Sequence, residues 1–230
     1  MIRKIFIKIF GGKITNIETI EAMPFDVFAS YLFERIIMLL RGLIRFRKLC
    51  FVGKGVKLKC KGRIKIGKFV TIHDFSYIDA SSENGVVIES YCTIGRNAFI
   101  RSGNLASYDG YFIMRTGSAC NVNCFLGATG GIEIGKNVLM GPNITILSEE
   151  HNYGTDSIAI KEQGIAKTPV KIKDNVWIGS NVVILGGTVI GSGSIIGAGS
   201  VVTKSVEENV IIAGNPAKVL KKRDANPPSA

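Results

Sequence analysis

The 230-residue chain is 46% hydrophobic and 20% charged, enough for one sizeable core and too apolar to be disordered throughout. Its net charge of +11 is lopsided, with 16 Lys+Arg against 4 Asp+Glu over residues 1–68 and 13 against 14 over residues 69–230. The five cysteines (Cys50, Cys60, Cys92, Cys120 and Cys124) include no CxxC pair and read as free, mostly buried thiols in a reducing cytoplasm.

In chain order, the start MIRKIFIKIFGGK has a basic residue every few positions and no small-residue cleavage site, so no signal peptide is expected. The basic stretch 1–68 suggests an anionic partner, either a lipid surface or an acidic glycan, with a merely solvated basic face as the alternative. No nucleic-acid partner is expected. Residues 25–48 are predicted to form an amphipathic helix ending in Arg41, Arg45, Arg47 and Lys48, cations well placed for the helix dipole. Its uninterrupted apolar run, Ile36–Leu40, is far shorter than the ~20 residues that span a bilayer. Two compatible roles follow. The helix caps the open end of the next domain, or it lies on anionic lipid as a peripheral contact with the inner membrane face. Residues 1–63 are thus read as one basic, partly helical segment.

From residue 172 a different pattern takes over. Ile172, Ile178, Ile184, Ile190, Ile196 and Val202 fall at a strict spacing of six, and small or β-branched residues (Val176, Val182, Thr188, Ser194, Ser200) stand four positions after five of them. Shifted frames carry the same rule at Ile66, Ile72 and Ile78, at Ile88, Ile94 and Ile100, and at Ile134, Met140 and Ile146. A six-residue period is not that of an α-helix. It suits a short strand and a turn, three times per coil, giving a triangular prism filled by the aliphatic anchors. Glycine often follows the anchor, as at Gly67, Gly95, Gly135, Gly141, Gly179, Gly191 and Gly197. This resembles the left-handed parallel β-helix, an exception to the right-handed crossover rule, and the resemblance covers about residues 64–222. The stretch 148–168 lacks anchors and is predicted to be a loop interrupting the coils, a place where chemistry is often found. The tail 223–230 is expected to be disordered.

Two histidines are candidates for proton transfer. His73 directly follows an anchor and reads as a solvated surface residue. His151 opens the interrupting loop. The run CNVNCFLGATGGIEIGKNVLMGPNITILSEEH, residues 120–151, and the later NVWIGSNVVILGGTVIGSGSIIGAGSVVTKSV with AGNPAKVLKKR resemble galactoside and maltose O-acetyltransferases and their capsule-modifying relatives. The resemblance implies acetyl-CoA as co-substrate, no metal, and a homotrimer with sites between subunits. It makes His151 the general base, Asn121 the residue orienting the acceptor and the Ser180 amide the oxyanion donor. Trp177, Ser180, Ala198, Thr203, Lys204, Lys218 and Lys221 would hold the cofactor. Glu149 and Glu150 are candidates to orient the imidazole, but the galactoside enzymes lack acids there, so neither is assigned. Thr129 stands where the galactoside enzyme uses an Asp for its sugar. No P-loop or Rossmann motif is present.

The expected activity is therefore O-acetylation of a sugar hydroxyl, with a bacterial surface polysaccharide or its precursor favoured by the basic front end. An antibiotic hydroxyl or a nucleotide amino sugar is the alternative acceptor. A γ-class carbonic anhydrase shares the fold but needs three histidines for zinc, and a non-catalytic scaffold would not need the match at Trp177, Ser180 and Lys204.

Overall fold

The computed structural model describes residues 22–105 and 107–223. The expectations for the basic start (1–21) and, apart from Arg223, for the tail lie outside the described residues. The chain is a left-handed parallel β-helix preceded by one long helix. Three parallel sheets form the walls, and they contain nine, seven and six strands. Along each coil the chain visits the nine-, seven- and six-stranded sheets in turn, as Trp177–Ile178, Val183–Ile184 and Val189–Ile190 illustrate.

Every six-residue anchor named above is buried. The register explains why, since stacked anchors sit directly over one another. Ile72 pairs with Ile94, Ile94 with Cys120, Cys120 with Met140, Met140 with Ile178 and Ile178 with Ile196. A fully buried aliphatic side chain stabilises by about 2 kcal/mol relative to an exposed one, so the column is the main apolar contribution. The small residues four positions later are buried too. Their hydroxyls are satisfied locally, with Thr188 Oγ1 donating to Leu185 O at 2.9 Å, Ser194 Oγ to Glu207 O at 2.7 Å and Ser200 Oγ to Gly197 O at 2.6 Å. Burial without a partner would have been costly.

The corners need left-handed backbone three residues after the anchor. Asn97, Asn123, Asn143 and Asn181 supply it with φ between 55° and 58°, a conformation asparagine tolerates better than most residues. Their side chains join into a ladder down one edge, with amide to carbonyl distances of 3.3, 3.2 and 3.0 Å. On the outside of the seven-stranded sheet Tyr77, Phe99 and Phe125 stack at centroid separations of 5.0 and 5.2 Å.

Coil pairing begins before residue 64. Phe51–Val52 pairs with Thr71–Ile72, and Lys57–Lys59 pairs with Tyr77–Asp79. The 3-10 turn Lys61–Arg63 shifts the frame here and hides the period. The expected helix is present as α1, Phe25–Phe46. It packs by one side, through Phe28, Met38 and Gly42, against this first coil. A Cβ on Gly42 would lie 1.9 Å from the Cys50 carbonyl oxygen, so only glycine allows that approach. Arg35 lies 3.5 Å over the Phe51 ring and donates to Thr71 Oγ1, while Arg45 donates to the Val56 carbonyl at 2.7 Å. At the other end Val210–Gly214 continues the nine-stranded sheet and turns back into the antiparallel strand Ala217–Lys222.

Candidate active site

The interrupting stretch is an arm rather than a loop without structure. Glu149–His151 pairs antiparallel with Ile165–Lys167, and Gln163 Nε2 ties the tip by donating to the Thr155 and Ile158 carbonyls. Two ion pairs fix its base: Arg101 to Glu149 at 3.4 Å and Lys167 to Asp109 at 2.6 Å. Sequence reading missed Arg101 and Asp109, which follow no motif. Glu149 is thereby turned to Arg101. His151 is exposed and borders a cavity of about 640 Å³ with Glu150, Tyr153 and Ile158.

The arm leaves between Thr145–Leu147 of the seven-stranded sheet and Val170–Ile172 of the six-stranded sheet. Asn121, Ser180 and Ala198 occupy a different edge, each at the corner between a strand of the nine-stranded sheet and one of the seven-stranded sheet. Thr203 and Lys204 follow Val201–Val202 and so lie on the arm's edge, whereas Lys218 and Lys221 are exposed on the last strand. One chain therefore presents the candidate residues on two edges, and His151 and Asn121 line separate cavities.

The second cavity, about 670 Å³, includes Asn121 and Trp177 with His73, Gly95, Arg96, Cys120 and Gly141. Its origin is the column directly after the stacked anchors, which reads His73, Gly95, Asn121, Gly141, Gly179 upward. Glycines keep the wall low. A Cβ on Gly95 would come 2.3 Å from the Asn121 backbone. Trp177 projects from the nine-stranded sheet and is 56% exposed.

His73 departs from the expectation of a solvated residue. It is half-buried at this cavity, and burial, reinforced by the Arg35 guanidinium, lowers its pKa. The signal was available in the register, because His73 and Asn121 hold the same position in coils two apart. Cys120 also borders the cavity, but its hydrogen bond with Cys124 and its burial raise its pKa well above the usual thiol range, so a thiolate nucleophile is disfavoured there. Thr129 is fully buried, with Oγ1 lacking a hydrogen-bond partner. It cannot meet a sugar from solvent without a local opening.

Two residues after an anchor, the N–H is in some coils capped by the residue stacked on it. Lys54 N–H donates to Asp74 Oδ1, Lys68 N–H to Ser90 Oγ, and Lys136 N–H to Asp174 Oδ1. Above Ser180 the stacked residue is Ala198, which offers no acceptor. Among the described residues the Ser180 amide has no hydrogen-bond acceptor, as is also the case for the equivalent amides of Asp74, Arg96 and Ala198 on this edge, while its neighbours Gly179 and Asn181 donate to Ile196 O and Pro142 O.

Residues 169–204 match the bacterial transferase hexapeptide family, described as six repeats. A galactoside O-acetyltransferase of Escherichia coli K12 is 33% identical over 144 residues, 62% of this chain and 70% of that protein. One from Lactococcus lactis is 37% identical over 134 residues, 57% of this chain and 63% of that protein. A putative acetyltransferase of Saccharomyces cerevisiae is 32% identical over 168 residues, 73% and 83% of the two chains. An N-acyltransferase from Bacillus cereus, solved with dTDP and 3-hydroxybutyryl-CoA, shares the fold at 19% identity and TM-score 0.51, covering 80% of this chain and 88% of its own. With matches spanning 70% and 83% of the E. coli and yeast proteins, and a prism built on the repeat itself, the chain belongs to the hexapeptide-repeat acetyltransferases.

Proposed function

We propose that the chain transfers an acetyl group from acetyl-CoA to a sugar hydroxyl, in a site completed by a neighbouring copy. The observation that carries this reading is the uncapped Ser180 amide, set on the same edge as Asn121 and beside exposed Trp177. An amide held with no partner of its own is pre-organised to receive developing negative charge.

His151 takes the proton of the acceptor hydroxyl as that oxygen attacks the thioester carbonyl. The Ser180 N–H donates to the carbonyl oxygen as it becomes an oxyanion. When the carbon–sulfur bond breaks, His151 returns the proton to the departing thiolate, so the base is regenerated. Asn121 orients the acceptor by hydrogen bonding. Trp177 packs along the pantetheine arm, Ala198 and Thr203 offer backbone groups, and Lys204, Lys218 and Lys221 face the phosphates, where lysine keeps the charge but not a bidentate contact.

The placement of these groups on two edges supports a cyclic trimer, in which the arm edge of one copy meets the Asn121–Ser180 edge of the next. The favoured acceptor is a glycan of a bacterial surface polysaccharide or its precursor, and the E. coli and L. lactis relatives are named for acetylating galactosides. Thiol release from acetyl-CoA, measured against glycans, nucleotide amino sugars and antibiotics, tests this directly. Thiol release with a glycan and an O-acetyl product supports it. Turnover confined to amines or to antibiotics overturns the acceptor class, and no turnover with any acceptor, together with no CoA binding, overturns the activity.

A further inference from the structure

The side of α1 turned away from the coil is apolar along its whole length. Phe25, Phe33, Ile36, Leu40, Leu43 and Ile44 are all exposed there, with Phe25 at 71%, Phe33 at 66% and Ile44 at 81%. A helical period places these six within one arc, opposite the docked residues Phe28, Met38 and Gly42. An amphipathic helix usually buries its apolar arc and shows the polar one. Here part of one arc is docked, and a second, more hydrophobic arc remains.

We infer that this face of α1 lies in the plane of a membrane surface rich in anionic lipid. Charge supports the choice of occupant. Arg47, the left-handed residue ending the helix, is exposed, as are Lys57, Lys61 and Lys65 on the coil that the helix packs against. Residues 1–68 hold 16 Lys+Arg against 4 Asp+Glu, while the rest of the chain is close to neutral. Anionic headgroups complement that end, and the apolar arc enters the acyl boundary beside them. A second copy of the same face brings like charge against like. Spanning is ruled out for this element, because no helix is long and apolar enough to cross a membrane among the described residues, and Arg35 and Arg45 tether it to the coil. This inference is independent of the acetyl-transfer reading.

Flotation of the full chain with phosphatidylcholine vesicles, with and without phosphatidylglycerol, tests it at low and high salt. The expected result is binding to the phosphatidylglycerol vesicles alone, reversed by salt. The double variant I36E/L40E alters only exposed positions and should bind about tenfold more weakly or worse, since each carboxylate must enter the headgroup boundary. Its melting temperature and gel-filtration volume report whether the fold and assembly are kept. Failure of the wild-type chain to bind phosphatidylglycerol vesicles at low salt overturns the inference. So does undiminished binding by I36E/L40E, which would assign the lipid contact to residues 1–21 or the coil lysines. If I36E/L40E instead changes the size of the assembly, the face is covered by a second copy and the inference is likewise overturned. A variant that unfolds is replaced by F33S, at a more peripheral exposed position, judged by the same criteria.

Discussion

Ala198 sits directly above Ser180, at the stacking position where Asp174 sits above Lys136. The aspartate caps the amide below it, and the alanine leaves the amide below it free. One methyl group in place of a carboxylate thus leaves the Ser180 N–H open to a ligand.

Ala198→Asp should therefore close the site without disturbing the coil. The new carboxylate would accept from the Ser180 N–H and add a negative charge where an oxyanion must form. Loss of one oxyanion-hole donor typically costs about 10²–10³ in turnover. The Asp74–Lys54 and Asp174–Lys136 corners show the arrangement is compatible with the fold. Steady-state kinetics with a thermal melt check it. An A198D protein that keeps full turnover would remove the Ser180 amide from the mechanism.

His151→Ala should lower turnover by about 10²–10⁴-fold, the usual worth of a general base. The side chain is exposed on the arm, so the melting temperature should hardly move. Near wild-type turnover with a good acceptor would assign the base elsewhere.

Ile184→Asp or Ile196→Asp should prevent folding rather than slow catalysis. Both side chains lie in the apolar column, at 0% and 1% exposure, and an unpaired carboxylate there costs several kcal/mol, roughly, even after protonation. Circular dichroism and solubility on expression read the outcome. A soluble, cooperatively melting variant at either site would contradict the register.

Glu89 offers a pH test. Its carboxylate accepts from the Thr116 N–H and Oγ1 at 2.9 Å each and pairs with Arg115 at 3.2 Å. These contacts, the Thr116 N–H first, hold its pKa below the ordinary 4.5. A lowered folded pKa means stability that is present above about pH 4.5 and lost as the pH falls through the folded value. Glu89→Gln should thus destabilise the protein modestly near neutrality, by about 0.5–1 kcal/mol after solvent screening. The gap to wild type should close as the medium is acidified below that window. Chemical denaturation at a series of pH values reads it, and a gap that stays constant would deny the link.

The period of six made the prism legible, because each anchor from Ile66 to Val202 must point inward for the pattern to recur at all. Asn121, Trp177 and Ser180 were named through the family resemblance alone, and the register adds that Asn121 and Ser180 share one corner, with Trp177 on the strand leading into it. What lay outside the period was hidden. The antiparallel arm pairs Glu149–His151 with Ile165–Lys167 across a stretch with no anchors. The partial burial of His73 depends on α1 and Arg35, whose docking rests on single contacts such as Gly42 against Cys50. The first coil was obscured by the 3-10 turn at Lys61–Arg63, which moves the frame.

The stacked column has one more consequence. Because every coil offers its neighbours nearly the same floor and ceiling, sliding the chain by a whole coil would refill most interior places with another aliphatic residue. The repeat alone does not count its own coils. Counting falls to the irregular pieces: α1 braced by Gly42 at one end, the reversed strand Ala217–Lys222 at the other, and the arm tied to Arg101 and Asp109 between them. These are the fiducial marks of an otherwise uniform rod, and the two at its ends also blunt the open strand edges from which it would grow into a fibre.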